Sequence, residues 1–245
     1  MSEIQQPGRS GRDLGVVLVA LVLPTAITWL YFIEAKDWPA AAQLAVFSAV
    51  KTVLFALPIM WVWFVQRGRV TLRPPGASGM ASGLVFGAAV GGAMLAFYYG
   101  ALRGSELIAA AAPAIRNKVA GAGIDGLGKY AALGLFYSLF HSLLEEYYWR
   151  WFVFGQLRRW TTLGAAIAVS ALGFMAHHVL VLGLYFGFAN PATYLFAACI
   201  AIGGAAWAWL YHRTGSLIGP WLSHLLVDAT IFAIGYDLVR ETISR

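Results

Sequence analysis

His141-Ser142-Leu143-Leu144-Glu145-Glu146-Tyr147-Tyr148-Trp149-Arg150 sets an imidazole, two acids and a guanidinium between flanks apolar enough to cross a bilayer. An ionisable side chain at the centre of an apolar helix costs about 2.5–3.5 kcal/mol on insertion scales, so a chain that keeps several together is expected to use them. Reading this stretch as the middle of a membrane helix decides the fold class.

Composition supports that reading. Of 245 residues, 60% are hydrophobic and 11% charged, where soluble domains carry about 25% charged residues. The chain is expected to be all-α, a polytopic membrane helix bundle of about seven spans, or eight if residues 104–124 also enter the bilayer. Its 17 Lys and Arg outnumber 11 Asp and Glu, but they fall mostly in short loops rather than in one patch. That pattern marks topology and contact with anionic lipid, not a nucleic-acid surface. Cys199 is the single cysteine, so one chain can build neither a disulfide nor a cysteine metal site.

Outward from the stretch, the spans are read in order. Residues 1–13 form a polar tail, with Arg9 and Arg12 before the apolar run Leu14–Phe32. That run is long enough to span, and Ile33-Glu34-Ala35 is a poor cleavage site, so a helix is favoured over a signal peptide. Pro24 is expected to kink it. Pro39–Val65 follows, with Lys51 inside it and Trp61 and Trp63 at its end as interfacial anchors.

The third span, Met80–Leu102, opens on Gly79, Gly83, Gly87 and Gly91. That repeat leaves one helix face bare, against which another helix is expected to pack. Residues 103–129 form a long polar interval of the kind that holds an interfacial helix or a lid. Residues 14–129 are thus an N-terminal helical part, and residues 130–236 a second helix bundle with spans Tyr130–Trp151, Leu163–Phe188, Tyr194–Tyr211 and Leu217–Ile234. A polar tail, 237–245, closes the chain. With the long interval set aside, loop cations such as Arg67, Arg69, Arg73, Arg158, Arg159 and Arg213 place the N-terminus in the cytoplasm.

The chemistry is expected where spans share ionisable groups. Glu145 and Glu146 are adjacent, so they point about 100° apart on a helix and are expected to divide roles. Arg150 at i+4 offers Glu146 an ion pair, and His141 at i−4 offers Glu145 an imidazole. Taken alone, these could form a buried structural network. Later spans add Phe174, His177 and His178, then His224 with Asp228 at i+4. A desolvated carboxylate serves as general base towards water, and an imidazole can share the proton or donate to an oxyanion. Two His and a Glu are also a zinc set, but no H-E-x-x-H is present and adjacent acids need no metal, so no metal and no cofactor is expected, with zinc as the alternative. Ser142 and Ser223 lack a G-x-S-x-G setting.

Glu145-Glu146-x-x-x-Arg150, Phe174-x-x-x-His178 and His224-x-x-x-Asp228, in that order on successive helices over about residues 130–236, resemble the CAAX protease and bacteriocin-processing family of intramembrane endopeptidases, the type II CAAX prenyl endopeptidase group. The resemblance implies a helical membrane fold with a cavity opening into the bilayer. It also implies that Glu145 activates water with help from His178, that His224 and the side chain at 228 stabilise the oxyanion, and that Glu146 and Arg150 hold the first motif. Two positions depart from the family's pattern, since many members carry Asn where Asp228 stands and Gly where Trp151 stands. An ionised Asp cannot donate to an oxyanion, so Asp228 either carries a proton or orients His224. Spacing from Phe174 favours His178 over its neighbour His177, and both His177 and His141 are read as supporting groups.

The expected function is an integral endopeptidase of the cell membrane. It would act on a membrane-tethered protein or peptide, near its C-terminus or in peptide maturation or sorting, with the bilayer as its other partner and no oligomeric state indicated. The alternatives are a proton-coupled transporter, against which stands the lack of a second copy of the acidic motif, and an inert binding or immunity protein of the same fold.

Overall fold

The computed structural model describes residues 10–68, 73–74 and 76–243. Arg9 and Arg69, used above as topology signals, lie outside the described residues. Eight helices succeed one another, with no strand among the described residues. In order they are α1 (Gly11–Glu34), α2 (Ala41–Val65), α3 (Ala77–Leu102) and α4 (Glu106–Gly121). Next comes α5, which runs unbroken through Leu127–Leu135, Phe136–His141, Ser142–Glu146, Tyr147–Phe154 and Gly155–Trp160. The last three are α6 (Leu163–Phe186), α7 (Pro191–Thr214) and α8 (Ile218–Ile243).

Six of these, α1 to α3 and α6 to α8, are long and apolar enough to cross a membrane. The central polar groups of α5 separate it from that set. Within α5 the segments Phe136–His141 and Tyr147–Phe154 are π-helical and flank the α-helical Ser142–Glu146. Wider turns of this kind change which side chains share a face, and they recur at functional sites. The long polar interval contains α4, capped by the Ser105 hydroxyl, which accepts from the Ile108 N–H. After the left-handed Gly123, Lys129 donates to the Gly123 carbonyl and to Asp125 at 2.8 Å. That bond holds the Asp125 carboxyl below its ordinary range.

Several ends differ from the sequence reading: α5 runs to Trp160 rather than Trp151, and α7 from Pro191 to Thr214 rather than Tyr194 to Tyr211, and two further ends are set by polar partners. The first helix starts at Gly11 rather than Leu14, because Asp13 is buried in a polar cluster. It accepts from Trp61 Nε1 at 3.0 Å and Gln66 Nε2 at 2.8 Å, and lies 3.4 Å from Arg159 of α5. The last helix continues past Ile234 to Ile243, because Asp237 accepts from the Tyr98 hydroxyl and pairs with Arg103, while Val239 and Ile243 pack with Ile124 and Tyr130.

The bare face of α3 meets α8. A methyl group built on Gly83 would strike the Gly219 carbonyl oxygen, one on Gly87 would come within 2.8 Å of the Ser223 Cα, and one on Gly91 within 2.6 Å of the Thr230 Oγ1. Backbones approach this closely only without side chains, and the contact at Ser223 sets the depth of its neighbour His224. Gly83→Leu is therefore expected to lower the thermal unfolding midpoint in detergent by overpacking of about 1–3 kcal/mol or more. Gly92→Leu, where a Cβ meets nothing within 4 Å, should leave it unchanged; equal midpoints for the two would show that the contact is not tight.

Behind the acids lies the main apolar core. Tyr148, Trp149, Phe152, Val153 and Phe154 of α5 pack with Val17 and Ala20 of α1, Phe174 of α6, and Trp207 and Ala208 of α7. Tyr148 donates its hydroxyl to the Ala20 carbonyl at 2.8 Å, so α5 is fixed on the side away from its acids as well.

Candidate active site

Glu145 projects from the central α-helical turn of α5 and is 8% exposed. Three imidazoles surround its carboxylate. His224 Nε2 of α8 lies 3.6 Å away, His177 Nε2 of α6 3.7 Å, and His141 Nδ1, one turn back on α5, 3.9 Å. These separations exceed a direct hydrogen bond, and polar gaps of this size are commonly bridged by a small polar group.

Glu146 faces away from that point, as adjacent residues on a helix must. It is fully buried, and its Oε1 accepts from His224 Nδ1 at 2.8 Å. That bond places the Nδ1 proton and turns Nε2 to face Glu145 and Asp228, each at 3.6 Å. On the other side, Glu146 Oε2 lies 3.2 Å from Arg150 Nε. Arg150 is 1% exposed and donates from Nη2 to the Gly204 carbonyl of α7 at 3.3 Å. Its guanidinium carbon lies 4.7 Å from the Phe174 ring and 5.0 Å from Trp207, within the range of cation–π attraction. A charge so deep in apolar surroundings needs such compensation.

Of the adjacent histidines on α6, His177 contacts Glu145, and its ring lies parallel to Trp149 with centroids 6.1 Å apart. His178 donates from Nδ1 to the Phe174 carbonyl at 2.8 Å, which leaves Nε2 as an acceptor. The two rings are 4.0 Å apart. The structure thus gathers Glu145, His141, His177, His224 and Asp228 around one point, with His178 beside it and Glu146, Arg150 and Phe174 behind. Among the described residues, no three His, Cys, Asp or Glu side chains form a group that could hold a metal ion.

Trp207, Gly204 and Ser223 complete the support and were not singled out for it by sequence reasoning. The Trp207 indole stacks on His224 at 4.2 Å and donates to the Ser223 hydroxyl at 2.9 Å. Gly204 admits Arg150, since a Cβ there would meet Nη2 at 3.4 Å and Phe174 at 3.2 Å. The available signal was the small-residue run Gly203-Gly204-Ala205-Ala206 before Trp207, which marks close helix approach.

Residues 128–230 match the family model described as Type II CAAX prenyl endopeptidase Rce1-like. The matched region runs from the start of α5 into α8 and contains Glu145, Glu146, Asp228 and the imidazoles of His141, His177, His178 and His224. No curated protein and no solved structure matches the chain.

Proposed function

We propose, from the match of residues 128–230 to the Rce1-like type II CAAX prenyl endopeptidase family, that Glu145 activates water to hydrolyse a peptide bond in a membrane-tethered protein or peptide. The chain is an integral, multi-pass membrane protein of a protease family. The observation that carries the finer reading is the convergence of imidazoles from α5, α6 and α8 on one buried carboxylate.

In this reading water is held between Glu145 and the free Nε2 of His178. Glu145 takes a proton as the water oxygen bonds to the substrate carbonyl carbon. His224, held as an imidazolium among the carboxylates of Glu146, Glu145 and Asp228, keeps its Nδ1 proton on Glu146 and donates its second proton, on Nε2, in a hydrogen bond to the oxyanion. Collapse breaks the C–N bond, and the proton on Glu145 passes to the leaving amine. Asp228, 3.6 Å from His224 Nε2, orients that imidazole, and His177 positions the Glu145 carboxylate it contacts. The chemistry uses no metal.

The test is cleavage, in liposomes, of lipid-anchored and transmembrane-anchored reporter peptides. His178→Ala should lower turnover by about 10²-fold or more, as removal of a proton-transfer partner does. His177→Ala should lower it by about tenfold, the scale of a lost orienting contact. The opposite ranking would exchange the two roles. Chelator should leave the rate unchanged, whereas restoration by zinc of a rate lost to chelator would overturn the metal-free reading.

A further inference from the structure

Trp207 is the one bulky side chain in the run Gly203-Gly204-Ala205-Ala206-Trp207-Ala208. Small neighbours let α7 approach its partners closely, so this indole is carried into the core, where it is 4% exposed. Its Nε1–H donates to the Ser223 hydroxyl at 2.9 Å, and Ser223 is itself fully buried, its backbone held against Gly87 of α3. That bond orients the ring beside the residue that follows Ser223.

That residue is His224. The two rings lie 17° from parallel with centroids 4.2 Å apart, and the Arg150 guanidinium carbon lies 5.0 Å from the same indole. Phe174, by contrast, meets His224 edge-on at 6.0 Å. Of the aromatic side chains indole offers a cation the most attractive face, and the attraction grows where water is excluded. Orientation is affected as well. The Glu146 contact at Nδ1 is a single hydrogen bond, about whose line the imidazole can still swing, and a ring stacked on its face removes that freedom.

Resting on the hydrolytic reading, we propose that Trp207 is a positioning residue for oxyanion stabilisation: its indole face holds the His224 ring in plane and favours its doubly protonated form, so that Nε2 presents a proton where the carbonyl oxygen becomes negative. The carboxylates of Glu145 and Glu146 on α5 and of Asp228 on α8 face the same imidazole, and His141 of α5 and His178 of α6 lie within electrostatic reach of it. Arg150 reaches it through the shared indole, and α3 presents Gly87 at this depth. The carboxylates act at the edge of the imidazole, on its two nitrogens. Trp207 acts on its face, a contact that none of them supplies.

The experiment follows cleavage of a lipid-anchored reporter peptide by the full-length protein in liposomes across a range of pH. Trp207→Phe keeps an aromatic face, whereas Trp207→Leu and Trp207→Met keep apolar volume without one. All three lose the bond to Ser223, so the difference between them isolates the ring face. The Leu and Met variants should lose about tenfold in kcat with KM little changed, and their fall in cleavage towards alkaline pH should begin about one pH unit below that of wild type, the scale of a desolvated cation–π contact. Trp207→Phe should stay within about threefold of wild type with the fall in place, since a phenyl face also attracts a cation. Each profile is normalised to its own maximum, so a reduced amount of folded protein does not move it, and either aliphatic variant suffices for the comparison. A Leu or Met profile that falls where wild type does, or a Phe profile displaced as far as theirs, overturns the assignment while leaving hydrolysis at Glu145 standing. Failure of wild type to cut the reporter removes the hydrolytic reading, and this one with it.

Discussion

Glu145→Gln is expected to give a folded protein that no longer cleaves, with turnover reduced by about 10²–10⁴-fold, the contribution of a general base in position. The substitution is nearly isosteric, so the carboxamide can occupy the same pocket between His224, His177 and His141. What it loses is the capacity to take a proton from water and return it to the leaving amine. Glu146→Gln offers a contrast one residue away. Its oxygen can still accept from His224 Nδ1, so cleavage should persist at a reduced level. The measurement is single-turnover cleavage beside thermal unfolding, to separate chemistry from folding. A Glu145→Gln protein that cleaves within about tenfold of wild type would exclude this carboxylate as the base.

Arg150→Met should have the largest effect on stability. Glu146 and Arg150 are 0% and 1% exposed and lie 3.2 Å apart, and removing one partner of such a buried pair costs about 3–5 kcal/mol, because the other charge stays desolvated. The Gly204 carbonyl also loses its donor, and the Phe174 and Trp207 rings lose their cation. Replacement of both members is milder, since an apolar pair of similar volume can be neutral or stabilising. Glu146→Leu with Arg150→Met should therefore recover most of the unfolding midpoint lost in Arg150→Met. It should not recover cleavage, because nothing then fixes His224 through Nδ1. Full stability of the single variant would show that the pair contributes little, and activity in the double variant would show that His224 needs no anchor.

Much of this was legible because membrane spans are long and their patterns strong. Hydropathy marked the apolar spans to within a few residues, and the Gly79 to Gly91 repeat announced a close helix contact before its partner was known. The partner itself, Gly219 and Ser223 of α8, was not legible, because small residues specify proximity without naming a neighbour. The ionic neighbours within α5 followed from four-residue spacing, as with Glu146 and Arg150. Contacts between helices did not: the π-helical turns on either side of Ser142–Glu146 shift the phase of α5 relative to an ideal helix. Adjacent His177 and His178 differ by only one step around α6, a distinction that depends on how the helix is rotated in the bundle. The chain ends were misplaced because Asp13 and Asp237 look like exposed polar residues until their partners, distant in sequence, are in place.

The Asp13 cluster also bears on biogenesis. Its hydrogen-bond donors Trp61 and Gln66 arrive with α2, but the guanidinium that compensates its charge is Arg159, at the far end of α5. A nascent chain that has delivered only its first helices to the membrane thus carries a carboxylate whose counter-charge has yet to be translated. Final seating of α1 waits for α5, the same helix that carries Glu145, so the amino-terminal half of the protein becomes a settled scaffold only as that helix is inserted.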